Sequence, residues 1–122
     1  MQSWQATEEG EAVNINESHQ GEVYVFALDG RIDTEGADAL DAKLQTVVKA
    51  GHHKIVLDMA EVGYISSNGL RTLADVLTQN KEAHGDLKLV GLNVKVMRVL
   101  QIVGFDKFFS IYDTVDAAIA DF

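Results

Sequence analysis

The chain contains no cysteine and no proline in its 122 residues. Without a thiol it forms no disulfide framework, holds no thiolate metal site and offers no cysteine nucleophile, a composition that fits a reducing compartment. Without proline it also lacks proline-rich linkers, and no internal repeat or low-complexity tract divides it. Met1 to Gly10 has neither the basic stretch nor the apolar stretch of a secretory signal, and no apolar run approaches the ~20 residues of a membrane helix. These absences predict a soluble, cytoplasmic chain. Cations are scarce too: 10 Lys and Arg stand against 19 Asp and Glu, a net charge of −9. The average field therefore repels phosphate backbones and anionic lipid surfaces, which argues against nucleic acid and membranes as partners.

What is present is ordinary for one globular domain, with 47% hydrophobic and 24% charged residues. A chain of this size removes roughly two thirds of its unfolded surface from water, enough to fold without staples. We read residues 1–122 as a single domain, with 1–11, including Glu8, Glu9 and Glu11, as a solvated N-terminal tail. Val13 and Ile15 alternate with Asn14 and Asn16, and Val23 to Leu28 follows after Gly21, the pattern of a hairpin. Asp29-Gly30 reads as a turn and Thr34 as a cap, after which Ala37, Leu40, Leu44, Val47 and Val48 recur at helical spacing to about Ala50. Lys54 to Met59 has the unbroken apolar centre of a strand covered on both faces.

A second helix carries Leu70, Leu73, Ala74 and Leu77, and Gly85 separates it from the short strand Leu87 to Val90. A third, with Val96, Val99, Leu100 and Val103, stops at Gly104, and a last one places Val115, Ala118, Ile119 and Phe122 on one stripe. The expected fold is α/β: a mixed sheet of about four to five strands with four helices packed on it.

The segment Tyr64-Ile65-Ser66-Ser67-Asn68-Gly69-Leu70-Arg71 joins the buried strand to the second helix, a junction where α/β folds gather functional groups. Free amides and the helix dipole favour an anion there, such as a phosphate carried on a serine. On spacing alone, Ser66, Ser67 or Asn68 equally serves as the helix cap. Serine catalysis is poorly supported. Ile65 stands where a nucleophile elbow needs glycine, and His19, His52, His53 and His84 read as solvated loop or helix-end residues. No glycine-rich phosphate loop and no metal-ligand spacing occurs, so no cofactor is implied. Phe105, Phe108, Phe109 and Tyr112 form an aromatic cluster that reads as core in preference to a docking surface.

Four stretches occur together in order: Gly30-Arg31-Ile32-Asp33, Ile55-Val56-Leu57-Asp58, Ser66 to Leu70, and Gly104-Phe105-Asp106-Lys107-Phe108-Phe109. From about Val13 to Phe122 the chain resembles the STAS domain family, specifically the bacterial anti-sigma factor antagonists. The resemblance implies a non-enzymatic binding protein. In its unmodified form such a protein binds an anti-sigma factor with serine kinase activity and so releases a sigma factor. Phosphorylation of one serine switches it off, and a serine phosphatase restores it.

The family's Asp-Ser-Ser/Thr/Ala-Gly-Leu pattern, aligned on Gly69-Leu70, places the acceptor at Ser67, with Ser66 as second choice. Asp33, Ser66, Asn68, Gly69 and Arg71 then form the partner-binding rim. Two departures stand out: Ser66 occupies the position of the family's acidic residue, and Asn68 replaces a small one. Two rival readings are a phosphorylation-independent STAS subunit of a transport or signalling assembly, and a small hydrolase using Ser67.

Overall fold

In the computed structural model, which describes residues 13–122, five strands lie in sequential order across one sheet. Strands β1 (Val13–Gln20) and β2 (Val23–Ile32) form the expected antiparallel hairpin. β3 (Lys54–Ile65), β4 (Asp86–Val90) and β5 (Ser110–Tyr112) then add in parallel. Parallel neighbours need crossovers, and helices α1 (Thr34–Lys49), α2 (Ser67–Glu82) and α3 (Val94–Val103) supply them. α3 runs on into a 3₁₀ turn at Phe105–Lys107, and α4 (Val115–Ala120) ends the described fold. The expected mixed sheet with four helices is thus present, with β5 the strand that local sequence does not signal. Residues 1–11, read above as a tail, lie outside the described residues.

Alternation along the strands divides the apolar side chains between two faces. Phe26, Leu28, Ile55, Leu57, Met59, Leu87 and Leu89 pack with Leu40, Leu44, Leu73, Val76 and Leu100 of the crossover helices in the main core. Val23, Val25, Val56 and Val90 face the other way, toward Ala118 of α4. β3 is therefore covered on both sides, as its unbroken apolar run requires. On the thinner face Lys88 is buried. Its Nζ donates to the Ala118 carbonyl at 3.1 Å and sits 3.8 Å from the centre of the Phe122 ring. Burial holds this ammonium below the ordinary lysine range, opposed by the nearby Asp121 carboxylate.

Several local expectations are corrected. Asp29-Gly30 is not a turn but part of β2. Pairing with β3 continues through Asp29↔Glu61 and Gly30↔Val62, and the positive φ of Gly30, 122°, is absorbed where the register shifts. Thr34 is already helical; Asp33 caps α1 instead. His52 and His53 are half-buried, because the His52 ring packs 4.5 Å from that of Tyr24 and His53 Nδ1 meets Asn80 Oδ1 at 3.3 Å. Of the aromatic cluster only Phe109 is fully core, while Phe108 is 67% exposed. Successive residues entering a strand point to opposite faces, so both cannot turn inward. Val103 and Phe122 are likewise exposed, each standing at or beyond the end of its helix.

Candidate functional site

β2 and β3 run parallel and finish level, with Ile32 opposite Ile65. Each then turns directly into a helix, so the N-termini of α1 and α2 open side by side. The Ser66 amide donates to the Ile32 carbonyl at 2.8 Å, which ties the two exits together. The caps repeat one another. Asp33 Oδ1 accepts from the Gly36 amide at 2.9 Å, and Ser66 Oγ accepts from the Gly69 amide at 3.1 Å. Asn68 Nδ2 then donates across the gap to Thr34 Oγ1 at 3.4 Å.

Gly69 makes this closeness possible. A Cβ there would fall 2.7 Å from Ile65 Cγ1 and 2.8 Å from Ile32 Cγ2, so a side chain would lift α2 off the strand ends. Gly69 is buried and places no side chain on the rim. Asp33 and Ser66 are half-buried, whereas Ser67, Asn68 and Arg71 are exposed. Arg71 stands one turn beyond Ser67 on the same face of α2.

The two serines thus divide the work that spacing alone leaves undivided. Ser66 is the cap, and its hydroxyl oxygen is engaged. Ser67 is the first helical residue, exposed, and its hydroxyl has no hydrogen-bond partner among the described residues. α2 has no acidic residue in its first turn, so its own side chains do not neutralise the positive end of the helix dipole. Negative charge at Ser67 is therefore compatible with the local field. Replacing Ser66 with alanine is expected to lower unfolding stability by about 1 kcal/mol, the usual cost of losing such a cap, in urea denaturation.

Two neighbours escaped the sequence reading. The Arg31 guanidinium lies 4.4 Å from the centre of the Tyr64 ring, and both border a cleft of about 350 Å³ that Lys95, Val96 and Val99 close on the α3 side. Only the β2–β3 register, which pairs Arg31 with Tyr64, brings these residues together, and no motif announces it.

The histidines lie elsewhere. His52 and His53 directly precede β3 and share a pocket with His84, while His19 stacks on Tyr24. Twelve residues of β3 separate that end from Ser66, roughly 35 Å of extended chain. Ser67 and these imidazoles cannot form a hydrolytic triad, which removes the geometric basis of the hydrolase reading. Among the described residues no three His, Asp or Glu side chains converge to hold a metal ion, and no helix is long and apolar enough to cross a membrane.

The STAS domain family model matches residues 14–118. A Bordetella bronchiseptica protein that bears the provisional name anti-sigma factor antagonist BtrV is 35% identical over 98 residues, covering 80% of this chain and 84% of its own. Two solved structures superpose closely. One, from Thermotoga maritima and provisionally described as an anti-sigma factor antagonist, gives a TM-score of 0.84 at 25% identity, covering 88% of this chain and 92% of its own. An anti-sigma factor antagonist from Mycobacterium paratuberculosis gives 0.82 at 26% identity, covering 92% and 95%. The family match spans the whole sheet and both capped helix starts. The chain belongs to the STAS domain family, among its anti-sigma factor antagonists.

Proposed function

We propose that this protein works as a partner switch. Unmodified, it binds an anti-sigma factor that is also a serine kinase and so frees a sigma factor; phosphorylated on Ser67, it lets go. The observation that carries this reading is the division between the serines: Ser66 Oγ is held by the Gly69 amide, while Ser67 is exposed at the first position of α2. The family pattern and the exposure select the same residue.

In the phosphorylation step Ser67 Oγ forms a bond to the γ-phosphorus of ATP. The bond from that phosphorus to the β,γ-bridging oxygen breaks, ADP leaves, and the hydroxyl proton passes to a base of the kinase. A serine phosphatase reverses the modification by hydrolysis. The Asp33, Ser66, Asn68 and Arg71 neighbourhood forms the docking rim. Ser66 supplies no carboxylate where relatives carry one, so the kinase must provide the orienting charge itself. Anti-sigma kinases and sigma factors act in the cytoplasm, and this reading places the protein there.

The test is to incubate the purified chain with candidate anti-sigma kinases and ATP, then locate the phosphate by mass spectrometry. The expected adduct is on Ser67, absent from Ser67→Ala and retained in Ser66→Ala. Phosphate on Ser66 alone, or none from a kinase that binds the chain tightly, overturns the assignment.

A further inference from the structure

Positions 67, 71, 74 and 78 fall at i, i+4, i+7 and i+11, one face of α2. Ser67, Arg71 and Thr78 are exposed and Ala74 is half-buried, so this face runs on from the proposed acceptor toward solvent. It ends at a groove of about 210 Å³ lined by Ala74, Leu77, Thr78, Phe105, Phe108 and Phe109. The lining is almost entirely apolar, and the Thr78 hydroxyl already donates to the Ala74 carbonyl at 2.9 Å. On its open side stands Phe108, 67% exposed, an unusual cost for so large an apolar side chain. Ile102 and Val103, 76% and 47% exposed, extend the patch along α3.

The surrounding charge limits what can cover this surface. Residues 92–109 carry Lys95, Arg98 and Lys107 against Asp106 alone, a net +2 in a chain whose total is −9. Arg71 adds a further cation on the α2 face, while Asp75 lies about 100° round the helix from Ala74. A second copy of the chain would bring a positive patch against itself, since a two-fold interface uses the same surface twice. A protein segment that is acidic and bears a large apolar anchor meets both the groove and its rim.

We infer that the Phe108 groove is a second anchor point for the anti-sigma factor, filled by an acidic helix or loop carrying an aromatic or leucine side chain. It rests on the partner-switch reading above and adds where binding strength resides. Ser67 decides whether the complex forms, and the groove, two to three helical turns away, holds it. Affinity commonly concentrates in a few desolvated aromatic contacts, and no charge on Ser67 need reach them.

The experiment is calorimetric titration of the anti-sigma kinase identified by phosphorylation into five proteins: wild type, Phe108→Asp, Thr78→Glu, Ser67→Asp and Thr46→Glu. Thr46 is exposed on α1, so its variant controls for added charge. Phe108 is exposed enough for its variants to keep the fold, which circular dichroism verifies. Phe108→Asp is expected to weaken binding about 30-fold or more, with Thr78→Glu weakened in the same direction and Thr46→Glu unchanged. Wild-type affinity in both groove variants, with Ser67→Asp still defective, overturns the groove and spares the switch. Wild-type affinity in Ser67→Asp as well sinks the switch itself. Sedimentation velocity of the chain alone is expected to show a monomer; a dimer that Phe108→Asp dissociates would assign the groove to a second copy and overturn the proposal.

Discussion

Changing Ser67 to aspartate is expected to weaken the complex with the anti-sigma kinase by about 30- to 150-fold, whereas Ser67→Ala binds within a few-fold of wild type. The argument is one of desolvation. A hydroxyl at the first position of α2 loses little on docking, and alanine at that position is an equally good helix former. A carboxylate there must shed its hydration against a surface shaped for a neutral group, a cost of about 2–3 kcal/mol when the partner offers no counter-charge. The fold itself need not respond. α2 has no acidic residue in its first turn, so its dipole tolerates the charge and the chain keeps its stability while losing its partner. Equal affinity of Ser67→Asp and wild type would instead favour a STAS subunit that works without phosphorylation.

The second large effect concerns stability at the opposite end of the sheet. Gly85→Ala is expected to lower unfolding free energy by about 3 kcal/mol, read as a fall in the urea midpoint with unchanged slope. A Cβ at Gly85 would lie 1.9 Å from the His53 carbonyl oxygen and 2.6 Å from its carbon. That carbonyl accepts the Asp86 amide at 2.9 Å, and the Gly85 amide donates to the Asn80 carbonyl at 2.7 Å. The buried Asn80 side chain completes the junction, donating to the Asp86 carbonyl at 3.1 Å. The junction has backbone on both sides of the added methyl, so no side chain can swing away to make room. Since a domain this size holds about 5–15 kcal/mol in all, the loss is a large share. A fall under 1 kcal/mol would show that the junction yields more easily than these distances imply. Partner binding by the folded fraction should persist, because Ser67 lies at the far end of β3.

The element order was readable from periodicity, because each helix buries one stripe and each central strand an unbroken run. β5 was not: three half-buried residues after a 3₁₀ turn give no pattern, and only pairing with β4 makes Ser110–Tyr112 a strand. Asp29-Gly30 misled for the reverse reason, since a local turn signal was overruled by pairing on both sides. At the site, residue types and spacing located the serine pair, and the family pattern ranked Ser67 above Ser66. That ranking has a physical counterpart in the Ser66 cap, a choice among Ser66, Ser67 and Asn68 that spacing could not make. Arg31 beside Tyr64, and Ala74 and Thr78 beside Phe108, come from elements distant in sequence. Their meeting depends on register and helix packing, which no single window contains.

The central claim is that charge on one hydroxyl decides whether this protein is bound. Its most direct measurement divides one preparation in two, phosphorylates half to completion on Ser67, and titrates both halves with the anti-sigma kinase held in a non-hydrolysable nucleotide. The account predicts tight binding by the unmodified half and a loss of 30-fold or more in the other, recovered after phosphatase treatment. Identical affinities before and after phosphorylation would contradict it.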